Sequence, residues 1–454
     1  MDYARISIIK RDGKREAFSL DKIVGAITKA YRAGGIDNER QTIDRIAEDI
    51  AASIATEEIS VEQIQDMVEE RLMQHNPSIA KRYIIYREWR NVERDRRSQI
   101  KGVMDGIVTV ERNDINLSNA NMSSHTPAGQ MMTFASEITK DYALKYLVGV
   151  RHGRAHRDGS IHIHDLDYYP TKTTTCIQYD LGDIYERGFS TKNGSVRSPQ
   201  SVQSYATLAT IVFQTNQNEQ HGGQSIPAFD HFMAPGVLKT FRKHVVDMTL
   251  FLCGLRGIEA PDRKAFKQLV AEHVATIEPC DEAVGALFAA LRCAGLEVAD
   301  ADMRGIWRQA YDATRRETHQ AMEGFIHNLN TMHSRGGNQV VFSSVNYGTD
   351  SSPEGRMVIR ELLSATVEGL GHGEVPVFPI QIFKIKEGIS WCREDYEAAV
   401  RDFDKALAGG ISFKAPNFDL LIEACNTTAT ALFPNFMFLD APFNRHDKWR
   451  ADDP

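Results

Sequence analysis

No two of the six cysteines, at positions 176, 253, 280, 293, 392 and 425, form a Cys-x-x-Cys pair. That excludes a zinc ribbon and a thioredoxin-like redox pair within this sequence. No apolar run approaches the roughly 20 residues that a bilayer-spanning helix needs. The opening Met-Asp-Tyr-Ala-Arg has neither the apolar stretch nor the small-residue cleavage site of a secretory signal. Positive charge is not in excess: 53 Lys and Arg stand against 61 Asp and Glu, a net charge of -8. A protein that coats nucleic acid or an acidic membrane is thereby excluded, and anionic ligands have to be held by local basic clusters. Neither Gly-Gly motif fits the P-loop or the dinucleotide fingerprint, and no low-complexity block stands out. These absences predict a cytoplasmic protein with no membrane span, no nucleic-acid partner and reduced thiols.

What is there is the composition of a globular protein, 42% hydrophobic and 25% charged over 454 residues, too long for one ordinary core. Ile6, Ile8 and Phe18 flank Lys10-Arg11-Asp12-Gly13-Lys14-Arg15, and Asp-Gly between β-prone runs predicts a hairpin. Ser19 then reads as the N-cap of a helix with Ile23, Ile27, Ala30 and Tyr31 on one face. A second helix carries Ile43, Ile46, Ala47, Ile50 and Ile54. Ser60 caps a third with Ile64, Met67, Val68 and Leu72. A fourth, around Ile84, Ile85 and Trp89, runs into charged residues 90–97, read as an exposed helix end or linker. A hairpin and four helices, about 95 residues, make a self-contained domain by size.

From about residue 105 strand-like runs such as Ser160-Ile161-His162-Ile163-His164 alternate with helical patterns, predicting an α/β body with mostly parallel strands. Residues 253–322 read as a helical excursion from it. The chemistry-bearing residues fall in a few stretches. The basic hairpin tip with Lys22 at the first turn of a helix suits a triphosphate, although such a tip taken alone is equally a solvated turn. His162 and His164, read as neighbours on a strand, share a face; without a third ligand nearby they suggest one buried and one hydrogen-bonded histidine rather than a metal site. Asn119 and Asn121 lie in an amide-rich stretch suited to sugar hydroxyls. Gly222-Gly223 reads as a turn where backbone approaches a ligand. Cys176 alone is more often core than nucleophile, and Cys425 falls in a helical pattern that suggests a core role.

Residues 6 to about 95, through Lys10-Arg11-Asp12-Gly13, Phe18 and Asp21-Lys22-Ile23, resemble the ATP-cone of ribonucleotide reductases. The match implies that Lys10, Arg11 and Lys22 contact ATP or dATP, with Arg87 near the last helix. The following stretches, including His162 to Asp167, Cys176 to Leu181, Gly222 to Pro227 and His333 to Gly348, resemble anaerobic (class III) ribonucleoside-triphosphate reductases. The resemblance continues through Phe378 to Phe383 and Leu432 to Phe436, and ends in Asp440-Ala441-Pro442-Phe443-Asn444.

The resemblance implies an ATP-cone over 1–97 and, over 98–454, part of a ten-stranded α/β barrel of the glycyl-radical type, incomplete at its C-terminus. It implies reduction of ribonucleoside triphosphates by thiyl and glycyl radical chemistry, with ATP and dATP as effectors, in a homodimer activated by a radical-SAM enzyme. Cys176 matches the second active-site cysteine, on the ribose face where the 2′-hydroxyl departs. His162, His164, Asn119, Asn121, Gly337 and Asn338 follow as residues that orient substrate or shape the wall, and no metal ligand is assigned. The family's Met-Gly-Cys-Arg motif, zinc-binding Cys-x-x-Cys pairs and Arg-x-x-Gly-Tyr-type radical loop are not found in this sequence. The expectation is a C-terminally truncated reductase that does not turn over alone, its glycyl radical and structural zinc belonging to the missing part. The alternative is an inactive nucleotide-sensing remnant or subunit.

Overall fold

The computed structural model of the protein describes residues 6–10, 14–109, 118–119, 122–123, 126–191, 194–334, 339–444 and 449. The chain divides into two compact units, Met1–Thr109 and Val110–Pro454.

In the smaller unit β1 (Ser7–Ile9) pairs antiparallel with β2 (Arg15–Ala17), and parallel with β3 (Glu58–Ser60). Around this sheet lie α1 (Leu20–Ala33), α2 (Arg40–Ser53), α3 (Val61–His75) and α4 (Pro77–Thr109). The i, i+4, i+7 spacing of Ile23, Ile27 and Ala30 turns one stripe of α1 inward, and all three are buried. They meet Ile46 and Ile50 of α2, Val68 and Leu72 of α3, and Ile79 and Tyr83 of α4. The N-terminus of α3 is closed by a reciprocal capping box: Ser60 accepts from the backbone of Gln63, and Gln63 accepts from the backbone of Ser60. The fourth helix departs from expectation twice. It runs unbroken through residues 90–97 to Thr109 rather than ending there, so a division at 97 falls inside it. Its inward face is built from Ile79, Ala80 and Tyr83, while Ile85 and Trp89 are 58% and 57% exposed.

The larger unit opens with β4 (Ser118–Asn119) and β5 (Met122–Ser123), then α5 (Pro127–Tyr142), a π-helical turn over Ala143–Leu147 and α6 (Val150–Arg157). Next come β6 (Thr175–Gln178), α7 (Leu181–Arg187), the hairpin of β7 (Phe189–Thr191) and β8 (Gly194–Val196), α8 (Val202–Asn216) and β9 (His221–Ile226). Four helices follow, α9 (Phe229–Arg256), α10 (Arg263–His273), α11 (Asp281–Cys293) and α12 (Asp300–Thr331). The chain continues with β10 (His333–Ser334), β11 (Gln339–Val340), β12 (Ser343–Tyr347), α13 (Pro353–Glu368) and β13 (Ile380–Ile385). It finishes with α14 (Arg393–Arg401), α15 (Phe403–Leu407), α16 (Phe418–Ala431) and β14 (Asn435–Phe438).

Five strands, in the order β14-β13-β12-β9-β6, form one sheet whose pairings are all parallel. This is the α/β architecture the sequence predicts; among the described residues it is an open sheet, and no ten-stranded closure is present. Val345, Tyr347 and Phe383 join one continuous core with residues of α8, α9, α12 and α13. The helical excursion expected over 253–322 belongs to this core: Phe266, Val270, Leu287 and Trp307 are all buried in it. Trp307 satisfies its indole by donating to the carbonyl of Ile277 at 3.1 Å.

The loop leaving β12 is fixed by a buried charge. Asp230, fully buried in the first turn of α9, accepts through Oδ2 from the backbone N–H groups of Gly348, Thr349 and Asp350 at 2.8, 3.1 and 3.0 Å. Three such donors to one carboxylate oxygen compensate the burial of the charge. Burial pushes the Asp350 carboxyl up from the ordinary aspartate range, with the charge of Asp230 adding to it. Among the described residues no helix is long and apolar enough to cross a membrane.

Candidate functional site

Cys176 is presented to a cavity by an irregularity in β6. The register against β9 shifts between Thr175 and Ile177, and Cys176 takes a φ of 45°, a left-handed conformation uncommon outside glycine. The thiol is exposed as a result, and the Thr175 hydroxyl donates to its sulfur at 3.7 Å. Gly222 makes the geometry possible. It has φ +82°, and a Cβ there would lie 3.0 Å from Cys176 Sγ, 3.0 Å from Cys176 N and 2.8 Å from Thr175 Oγ1. Gly222-Gly223 therefore lies in a strand rather than the expected turn, and what its backbone approaches is Cys176.

The cavity has a volume of about 790 Å³, within the range of small-molecule sites. Cys176 shares its wall with His164, Asp165, Tyr168 and His221, with Ser136, Glu137 and Lys140 of α5 on the lining as well. Gln339 and Phe342 complete it. A second cavity of about 670 Å³ shares His164, Asp165, Tyr168 and His221 with the first and adds Lys172 and Tyr169.

The segment Ser160–His164 is not a strand. The N–H of Ile161 donates to the carbonyl of Ala155 and that of Ile163 to His156 Nδ1, so its donors are spent on the end of α6 and a turn follows. His162 and His164 consequently do not share a strand face; their rings stand edge to face at 5.9 Å, and only His164 lines the cavity. His162 instead lies 5.5 Å from the ring of His156, and both His162 and His164 are exposed, where one was expected to be buried. Asp165, at φ 49°, brings Oδ2 to 2.5 Å from His164 Nδ1 and 3.5 Å from His221 Nε2. The other nitrogen of His221 is 2.7 Å from Thr173 Oγ1, and Tyr168 stacks on its ring at 4.9 Å. Behind the wall Tyr179 donates to Gln224, which also accepts from Asn216 and donates to Gln217. Burial raises the Tyr179 phenol well above its ordinary range.

Of the other residues singled out by sequence, Asn119 lies in β4 opposite Met122 of β5, and Met122 is in turn opposite Gln339 of β11, a lining residue. Asn121, Gly337 and Asn338 lie outside the described residues. Asp165 and His221 are the members that sequence reasoning missed. Their signals were an acid directly after His-x-His and a histidine directly before Gly-Gly. Of the six cysteines only Cys253 is buried; Cys425 is exposed on α16, contrary to the core role expected.

In the smaller unit a cavity of about 270 Å³ opens between the sheet, α1, α3 and α4, lined by Lys10, Glu16, Phe18, Lys22, Gln65 and Tyr83 among others. Lys10 and Lys22 converge on one oxygen of Glu16, at 2.9 and 2.7 Å. The Lys22 bond first, and Lys10 second, hold the Glu16 carboxyl down at about 2. Burial raises the Tyr83 phenol to about 12. Arg87 is not on this lining: it bridges Asp66 at 2.6 Å and Glu69 at 2.7 Å, tying α4 to α3. Arg11 lies outside the described residues.

Comparison with known proteins gives two family matches. Residues 118–453 match the family described as anaerobic ribonucleoside-triphosphate reductase, and residues 6–92 match the ATP cone domain. The anaerobic ribonucleoside-triphosphate reductase of Haemophilus influenzae is 25% identical over 443 residues, covering 96% of this chain and 52% of that protein. The Salmonella typhimurium reductase is 24% identical over 437 residues, covering 95% and 51%. The chain thus spans about half the length of the curated relatives it matches. Among solved structures it is similar to the anaerobic ribonucleotide reductase from Thermotoga maritima with citrate in the active site, at 12% identity over 78% of this chain and 55% of that one, with a TM-score of 0.43.

Proposed function

Since the chain belongs to the anaerobic ribonucleoside-triphosphate reductase family, we propose that it binds a ribonucleoside triphosphate in the Cys176 cavity and an adenine nucleotide in the smaller unit. The observation that carries this reading is the exposed Cys176 thiol on the wall of a cavity of about 790 Å³, inside the segment that matches the family.

In this reading residues 98–454 serve the reduction of the ribose. Cys176 stands on the side where the 2′-hydroxyl leaves, and its S–H delivers or relays hydrogen at that carbon. Tyr168, His221 and Phe342 line the same cavity and give the reacting face part of an apolar and aromatic wall. His164, and more distantly His162, orient that face; Asn119 and Asn121 hold ribose hydroxyls, and Gly337 and Asn338 shape the wall. The family's glycyl radical would take the hydrogen of a cysteine S–H to give the hydrogen-abstracting thiyl, and neither of those two residues is assigned in this sequence. Among the described residues no three His, Cys, Asp or Glu side chains gather as metal ligands would. Residues 1–97 act as the regulatory domain for ATP or dATP, with Lys10, Arg11 and Lys22 on the phosphates. The lysine pair already turned toward one carboxylate oxygen supports this, because a phosphate offers the same kind of partner. The assembly is a homodimer served by a radical-SAM activating enzyme, in the cytoplasm.

Calorimetric titration of the full chain tests the reading. ATP is expected to bind in the smaller unit and to be lost in Lys10→Ala/Lys22→Ala. CTP is expected to bind at Cys176 and to be blocked by prior alkylation of that thiol. Absence of CTP binding, or binding indifferent to alkylation, would refute the catalytic part. ATP binding unchanged in the double variant would refute the regulatory part.

A further inference from the structure

The carboxylate of Asp165 does something that turn aspartates do not. An aspartate whose role is to hold a turn accepts backbone N–H groups. Among the described residues no backbone N–H donates to the Asp165 side chain; its Oδ2 faces only His164 Nδ1, at 2.5 Å, and His221 Nε2, at 3.5 Å. The residue keeps this position at φ 49°, a conformation that costs free energy and persists where the surroundings enforce it. Leu166, buried at 4% exposure, anchors the turn next to it.

The two histidines differ in what remains open on each. His221 is hydrogen-bonded at Nδ1 to Thr173 and has Nε2 within ion-pair distance of Asp165 Oδ2, at 3.5 Å; Tyr168 covers its ring, and its side chain is 11% exposed. His164 is engaged only at Nδ1; its Nε2 has no hydrogen-bond partner among the described residues, and its side chain is 81% exposed. His164 lines the cavity that holds Cys176. A base whose far nitrogen is oriented by a carboxylate, itself held from behind, is the arrangement that readies an imidazole for proton transfer.

We propose that Asp165, backed by His221, is a positioning residue that fixes His164 with Nδ1–H toward the carboxylate and a bare Nε2 toward the Cys176 cavity, where His164 exchanges protons. When a hydroxyl or thiol in the cavity gives up its proton, its O–H or S–H bond breaks as an N–H bond forms at Nε2. The imidazolium charge is balanced by Asp165, and the reverse transfer restores the starting state. The proposal rests on the reading of this cavity as the ribose site.

The test is nitrogen-15 NMR of the full chain labelled at histidine, at about pH 8.5, where an unperturbed imidazole is neutral. The His164 signals among the 15 histidines are identified by their loss in His164→Gln. Wild type is expected to show the Nδ1–H tautomer in about tenfold excess, the bias of one charge-assisted hydrogen bond. Asp165→Asn is expected to lose that excess in favour of Nε2–H, the form free histidine prefers, and Asp165→Glu to recover part of it. A merely structural aspartate would change stability and leave the tautomer alone. Nε2–H at His164 in wild type, or an Asp165→Asn spectrum with the tautomer unmoved, overturns the proposal. If Asp165→Asn does not fold, the wild-type tautomer decides by itself. The measurement needs no turnover, so it stands apart from CTP binding. A fixed tautomer without CTP binding would instead remove the ribose reading and leave the pair without a substrate to serve.

Discussion

Gly222→Ala isolates the feature that presents Cys176. The added methyl carbon would sit 3.0 Å from Cys176 Sγ and 3.0 Å from Cys176 N, with Thr175 Oγ1 closer still at 2.8 Å. One of those neighbours is backbone, Cys176 N, held between the ladder pairs of Thr175 and Ile177, and cannot swing aside as a flexible side-chain end would. The φ of +82° adds a conformational penalty of about 1–2 kcal/mol for a residue with a Cβ. Forcing a methyl into occupied space adds about 1–3 kcal/mol. Together these predict destabilisation of the larger unit by about 2–5 kcal/mol, read as a fall in the urea midpoint with unchanged slope. Relief of the contact has to move β6 or the thiol, so the alkylation rate of Cys176 should change several-fold. Cys280, Cys293 and Cys425, exposed elsewhere, serve as internal references in the same mass-spectrometric experiment. A variant within about 0.5 kcal/mol of wild type, with Cys176 alkylated at the wild-type rate, would refute the claim that this glycine shapes the site.

Lys10→Ala and Lys22→Ala should each weaken ATP binding by about tenfold or more, the value of a charge-assisted phosphate contact, measured by calorimetry. Arg87→Ala should instead act on stability, lowering the thermal midpoint of the smaller unit by loss of its bridge to Asp66 and Glu69, with ATP affinity changed less than in the lysine variants. The Glu16 carboxyl, depressed to about 2 in the folded protein, contributes its pairing above the ordinary carboxylate range and loses it as pH falls through about 2. Carbon-13 titration checks this, and Lys22→Ala should move the midpoint up; an unmoved midpoint would count against the pairing. Asp230→Ala strands three buried N–H donors and should cost about 3–5 kcal/mol in denaturant unfolding.

The sequence by itself determined the elements whose geometry is local. Ile23, Ile27 and Ala30 on α1, and Ile46 and Ile50 on α2, were legible because an inward stripe is set by the helical repeat alone. The Ser60 cap was legible for the same reason, its partner being three residues away. The long motifs that mark the family, with Cys176 inside one of them, were likewise legible in the sequence.

Where two readings of local pattern compete, sequence misleads. Ile161 and Ile163 alternate like a strand, yet the end of α6 takes their N–H groups and no neighbouring strand is left to pair with them. Ile85 and Trp89 sit at helical spacing, but α4 turns Ile79 and Tyr83 inward instead, and which face is buried depends on the partners.

Only the tertiary structure decided the site. Cys176 meets Gly222 because β6 and β9 pair in parallel with a shifted register, and register is a property of the sheet. Asp165 meets His221 because a turn after α6 is carried to the start of β9, far along the chain. No spacing rule links either pair. Backbone dihedrals propagate over a few residues, whereas contacts between distant segments arise only once burial has fixed which strands lie side by side.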